Sequence, residues 1–92
     1  KLPVAVPYFI DKTRPGEITQ KGRDMADLLG RALQLHGFIS IVPPSVYRND
    51  RGADWAALAV DFVVLGSFES NGTGLVMEIR FKDAATGKML LG

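Results

Sequence analysis

Apolar residues run almost without interruption from Leu2 to Ile10, broken only by Pro3 and Pro7. The run is too short for a buried helix, and its prolines oppose one. It reads as a buried strand in which Pro7 marks a bulge or the strand end. A polar turn cluster, Asp11 to Gly16 (DKTRPG), follows. Met25, Leu28, Leu29, Ala32, Leu33 and His36 then recur at helical spacing. Gln20, Arg23, Asp24, Asp27, Arg31 and Gln34 occupy the opposite side. Thr19 is the expected N-cap and Gly37 the left-handed residue after the helix, with Phe38 folding back onto Leu33.

Phe38 to Val42 (FISIV) reads as a short strand ended by Pro43-Pro44, and Pro43 to Gly52 reads as loop. Asp54 to Val60 predicts a short helix capped by Asp54, with Trp55, Leu58 and Ala59 inward. Phe62 to Phe68 is apolar on both faces, as a central, doubly covered strand requires. Asn71-Gly72 is a hairpin signal. The next strand alternates: Leu75, Met77, Ile79 and Phe81 toward the core, Val76, Glu78, Arg80 and Lys82 mostly toward water. A turn at Asp83 to Gly87 leads into a last strand, Lys88 to Leu91. The order is β-α-β-α-β-β-β. Two right-handed crossovers make the first three strands parallel, and two hairpins add an antiparallel tail.

Composition narrows the class. The 92 residues allow one domain, and 47 % hydrophobic with 23 % charged residues is ordinary for a globular chain. A net charge of +1 predicts no general attraction to nucleic acid or anionic membrane. No apolar run approaches the roughly 20 residues that span a bilayer, so no membrane insertion is expected. The absence of cysteine removes disulfides, thiolate nucleophiles and Cys-metal sites together. The chain starts at Lys1, shows no signal-peptide pattern and stops just after an apolar stretch. Residues 1–92 are therefore read as a single domain excised from something longer.

Reactive constellations fail one by one. Thr86-Gly87-Lys88 resembles the end of a phosphate loop, but Lys82 stands where that motif needs glycine and a strand follows in place of a helix. His36 is the only histidine, and Ile39 and Ser40 stand where metal partners would be. It reads as a last-turn helix residue favoured by the macrodipole. Ser67 lacks the second glycine of a nucleophile elbow. Asp50, Asp54 and Asp61 admit an acid pair, but Asp54 and Asp61 have simpler roles as cap and strand start. Arg14, Lys21 and Arg23 form the densest basic group without an interleaved aromatic platform. Asn71-Gly72-Thr73 matches a glycosylation acceptor that the turn already explains. No catalytic residue, cofactor or metal is expected.

Two aromatics are the candidate interface anchors, Tyr47 and Trp55, because such rings are enriched at hot spots. The competing reading is core, and it is the favoured one for Trp55.

Four segments carry a family resemblance. They are Asp54 to Ser67 (DWAALAVDFVVLGS), Met77 to Gly92 (MEIRFKDAATGKMLLG), Pro3 to Phe9 (PVAVPYF) and Leu33 to Phe38 (LQLHGF). Together they resemble the TolB amino-terminal domain family, or the wider TolB-like group, in the right order over nearly the whole chain. Ala59 departs from it, standing where the family often has glycine, and Pro43 to Ala53 does not align.

The resemblance implies a three-layer α/β domain with a mixed five-stranded sheet of order 2-1-3-4-5, like the anticodon-binding-domain fold. It implies a periplasmic component of the Tol–Pal cell-envelope system, a non-catalytic scaffold serving outer-membrane integrity and protein translocation. The implied protein partners are Pal, TolA and a C-terminal β-propeller of the same chain. Sharing the anticodon-binding fold leaves a nucleic-acid or small-ligand module as the alternative, against which the near-neutral charge argues. An excised interaction domain should show an apolar patch where its neighbour sat.

Overall fold

The computed structural model describes residues 1–91; Gly92, the last residue of the segment beginning at Met77, lies outside the described residues. The elements are β1 (Leu2–Ala5), β2 (Ile10–Asp11), α1 (Gln20–Gln34), β3 (Ile39–Val42), α2 (Pro44–Tyr47), β4 (Phe62–Asn71), β5 (Gly74–Asp83) and β6 (Met89–Leu91). One sheet runs in the order β3-β1-β4-β5-β6, with β2 beside β4. β1 is parallel to both β3 and β4, and β5 and β6 are antiparallel additions. Leaving β2 aside, this is the expected order.

The sixth strand arises because the first apolar run breaks at Pro7. Ala5 pairs with Val63 and Ile10 with Ser67, so four residues on this side face three on β4. The extra residue reverses the pleat. Val4 and Val6 share one core with Phe9, which uninterrupted alternation would send to the other face.

Helix α1 covers that face. Thr19 caps it as expected, its hydroxyl accepting the Gly22 N–H at 3.0 Å. The polar residues expected outside are exposed, but the inner stripe is rotated from the expected one. Its buried centre is Gly22, Ala26 and Gly30, with Met25, Leu29 and Leu33 on its flank. Leu28 and Ala32, expected inward, are exposed. Small residues permit close approach: a Cβ at Gly22 would collide with the Phe9 carbonyl oxygen. The exit turn has Gly37 at φ +79° as expected, but Phe38 stays 60 % exposed, its ring 5.9 Å from that of His36.

The opposite face holds a second core of Ala5, Tyr47, Trp55, Val60 and Val63, which completes three layers. Its cover differs from the expected helix. Asp54 to Val60 forms hydrogen-bonded turns, with the Asp54 carboxylate still capping the Ala57 N–H at 3.2 Å. Ala59 sits at φ +57°, a left-handed geometry that halts helical propagation. The helical turn forms earlier as α2, in the stretch expected to be loop, with Pro44 supplying the preset φ of a first helical position.

β4 and β5 form a ten-residue hairpin that outruns both layers. β2 accompanies β4 only as far as Phe68, so the tip is two-stranded. The expected burial of Leu75 and Met77 fails: both are exposed, Leu75 beyond the end of β2 pairing and Met77 at that end, opposite Phe68. The molecule measures 40 × 26 × 24 Å. It exposes 5839 Å², above the roughly 5,200 Å² of a compact chain of this mass, as a projecting hairpin requires.

Candidate functional site

The hairpin tip presents Leu75, Val76 and Met77 at 44 %, 56 % and 46 % exposure, from both faces of β5. Beyond it the strands meet through Gly72-Thr73, with Asn71 paired to Gly74. The turn thus sits one residue later than the Asn-Gly pair suggested, with Gly72 at φ +61° as its first residue. Glu78 and Arg80 follow on β5 as an exposed ion pair at 3.2 Å. Strand β6, the sheet's outer edge, exposes Met89 and Leu90. Large apolar side chains are also exposed elsewhere, at Ile18, Leu28, Leu35, Phe38 and Val46, but those on β5 run consecutively along one strand. The alternation of β5 already marked Leu75 and Met77 as apolar; only the reach of the covering layers was missing.

Tyr47 and Trp55 are placed together inside the second core. Each is 4 % exposed, and the rings meet edge-on with centroids 4.9 Å apart. Such a pair contributes about 1 kcal/mol beyond its buried area. Neither ring lies on the surface of the folded domain. Among the described residues, Tyr47 Oη and Trp55 Nε1 have no hydrogen-bond partner. Burial, and secondarily Tyr8, pushes the Tyr47 phenol up to about 12, with the nearby Val6 backbone, which falls outside hydrogen-bond geometry, opposing least.

A groove of about 470 Å³ lies between α1 and the free edge of β3. Its polar walls are engaged with one another. Asp27 pairs with Arg31 at 2.9 Å, Gln20 donates to Asp24 at 2.8 Å, and Arg23 lies 4.9 Å above the Tyr8 ring. Gln34 Oε1 takes the Ile41 N–H at 3.4 Å, blunting the sheet edge. Lys21 lies over Phe68 at 5.6 Å, so two members of the basic group sit on the domain's own rings.

The residues considered for chemistry serve as caps and ends. Asp50 accepts the Gly52 N–H at 2.9 Å, Asp54 caps its turn, and His36 is exposed beside Phe38. The Asp61 carbonyl accepts the Ala84 N–H at 3.0 Å. Thr86-Gly87 lies in a turn closed by Asp83, with Gly87 at φ +73°. Among the described residues, no three His, Asp or Glu side chains gather to hold a metal ion, and no helix is long and apolar enough to cross a membrane.

Comparison with known proteins agrees with this architecture. A Tol-Pal system protein TolB of Desulfotalea psychrophila is 40 % identical over all 92 residues. The chain spans 21 % of that relative's length. Among solved structures, the LpoB C-terminal domain of Salmonella enterica superposes with a TM-score of 0.74 at 13 % identity, over 97 % of this chain and 76 % of that one. The Escherichia coli LpoB C-terminal domain does so with the same score and coverage at 12 % identity. A PelC dodecamer from Paraburkholderia phytofirmans follows at 0.64 and 16 %, over 97 % and 66 %. At these identities the structures establish the fold alone. The profile of the TolB amino-terminal domain matches residues 1–90, and the chain belongs to that family.

Proposed function

We propose that this chain is the non-catalytic interaction domain of a periplasmic TolB-like protein, working in the Tol–Pal cell-envelope system through contacts with other proteins. The reading rests on the family match joined to one observation: Leu75 and Val76 stand exposed on a two-stranded tip that projects from the packed layers, with Met77 exposed at its base opposite Phe68. Apolar side chains in that position serve contact better than folding. The proposed partners are Pal, TolA and a β-propeller carried by the same chain, and the proposed role is support of outer-membrane integrity and protein transport. Tyr47 and Trp55 act in this reading from beneath, by fixing the layer that holds β4.

The test is capture of Pal and TolA by the full-length protein, alongside a V76E/M77E variant. Native protein is expected to retain at least one of the two. The variant is expected to fold with its stability changed by no more than about 0.5 kcal/mol, as for exposed positions, and to lose capture. Failure of the native protein to hold either partner overturns the proposal.

A further inference from the structure

The hairpin tip also carries a reactive dipeptide. The side-chain oxygens of Asp11, Asn49, Asp50, Asp54 and Asp83 each accept a backbone N–H. Asn71, by contrast, is exposed, and among the described residues no backbone N–H donates to its carboxamide. The next residue is Gly72, with open space where a Cβ would stand, and its N–H makes none of the backbone hydrogen bonds that hold the other turns. Asn71 is also the last paired residue of β4, on the two-stranded stretch where local opening costs least.

We infer that Asn71-Gly72 is a self-modification site, which converts without an enzyme to aspartate and isoaspartate. The Gly72 amide nitrogen attacks Asn71 Cγ. The new N–Cγ bond forms as the Cγ–Nδ2 bond breaks, the amide proton passes to solvent base, and the leaving nitrogen departs as ammonia. Water then opens the succinimide at either carbonyl. The balance is one water consumed and one ammonia released, with no redox partner. Glycine is the residue that lets the ring close, because it places no side chain beside the attacking nitrogen.

The product changes the tip in two ways. Net charge falls by one, from +1 to zero at pH 7. The isoaspartyl form also inserts a methylene into the main chain at a turn of two residues, which shifts the pairing that sets out Leu75, Val76 and Met77. Its effect on partner contact rests on the interaction reading above; the chemistry does not.

The experiment incubates the folded protein at mildly alkaline pH beside a synthetic peptide spanning Glu69 to Met77. Peptide mapping by mass, ammonia release and isoaspartyl methyltransferase labelling are followed together. Asn71 is expected to convert at a rate within about tenfold of the peptide's, since only the frayed tip must open. Asn49, the other asparagine, is followed by Asp50 and held by the Tyr8 N–H, and is expected to stay intact. Asn71→Ser should abolish the labelling while leaving Gly72 in place, and Gly72→Ala should slow it. Retardation beyond that factor, or labelling that survives Asn71→Ser, overturns the inference. Full conversion with unchanged capture of Pal and TolA would instead count against the hairpin as the contact surface.

Discussion

Asn49 Oδ1 accepts the Tyr8 amide N–H at 2.8 Å, and two residues later Arg51 Nη1 donates to the Tyr8 carbonyl at 3.1 Å. Tyr8 lies in the gap between β1 and β2, beyond the point where β3 has ended at Pro43. Two side chains thus do what a neighbouring strand would do. Arg51 also reaches the Gly66 carbonyl at 3.4 Å, and burial holds its guanidinium pKa below the ordinary value. The loop accepts left-handed geometry to present them, with Arg48 at φ +54° and Asn49 at φ +53°.

Two substitutions separate bond from backbone there. Asn49→Gly keeps the left-handed residue and removes the bond, with an expected loss of about 1–2 kcal/mol. Asn49→Ala removes the same bond but keeps a Cβ at a left-handed position, so it should fall about 1 kcal/mol below the glycine variant. Urea unfolding of the pair reads both.

The glycines of α1 should respond in opposite directions. Gly22→Ala drives a Cβ into the Phe9 carbonyl oxygen, a backbone atom that cannot swing aside. The expected loss is about 2–3 kcal/mol. Gly30→Ala would meet Ile41 at an ordinary 3.7 Å. It should raise stability by up to about 1 kcal/mol through helix propensity. Equal effects from the two would refute the close-approach argument.

Ala59→Gly is expected to stabilise the domain by about 1 kcal/mol, because φ +57° suits glycine and strains alanine. A rise in melting temperature with an unchanged denaturant slope is the signature.

Tyr47 gives the alkaline limb of the stability profile. Its phenol is raised from 10.0 to about 12, so the fold prefers the neutral form. That contribution is complete below pH 10.0 and drains away as pH climbs through about 12. Tyr47→Phe should flatten this limb. At neutral pH it should leave stability unchanged or higher, because it deletes a buried hydroxyl without a partner. Melting temperature against pH for both proteins decides it.

Strand order was legible because it follows from local signals: apolar runs, a capped helix, two hairpin turns and the handedness of crossovers. The helix was legible at Thr19 but not in its rotation, since Gly22 and Gly30 carry no hydrophobic signal and are buried for their smallness. α2 hid in a polar, proline-led stretch whose single inward residue is Tyr47. The apolar tip was legible as residues and illegible as surface. Leu75 and Met77 alternate as core positions do, and only the structure shows them exposed, Leu75 beyond the end of β2 pairing and Met77 at that end, opposite Phe68.

The surplus residue at Pro7 binds distant positions into one mechanical unit. Deleting it would restore the pleat and swing the Phe9 ring to the far side of the sheet, leaving a hollow under α1. Gly66 is bare for that ring, since a Cβ there would collide with it, and Gly22 is bare for the Phe9 carbonyl. Pro7, Phe9, Gly22 and Gly66 are therefore exchangeable only as a set. Grafting this domain's first strand onto a relative whose strand lacks the surplus residue should fail unless both glycines travel with it.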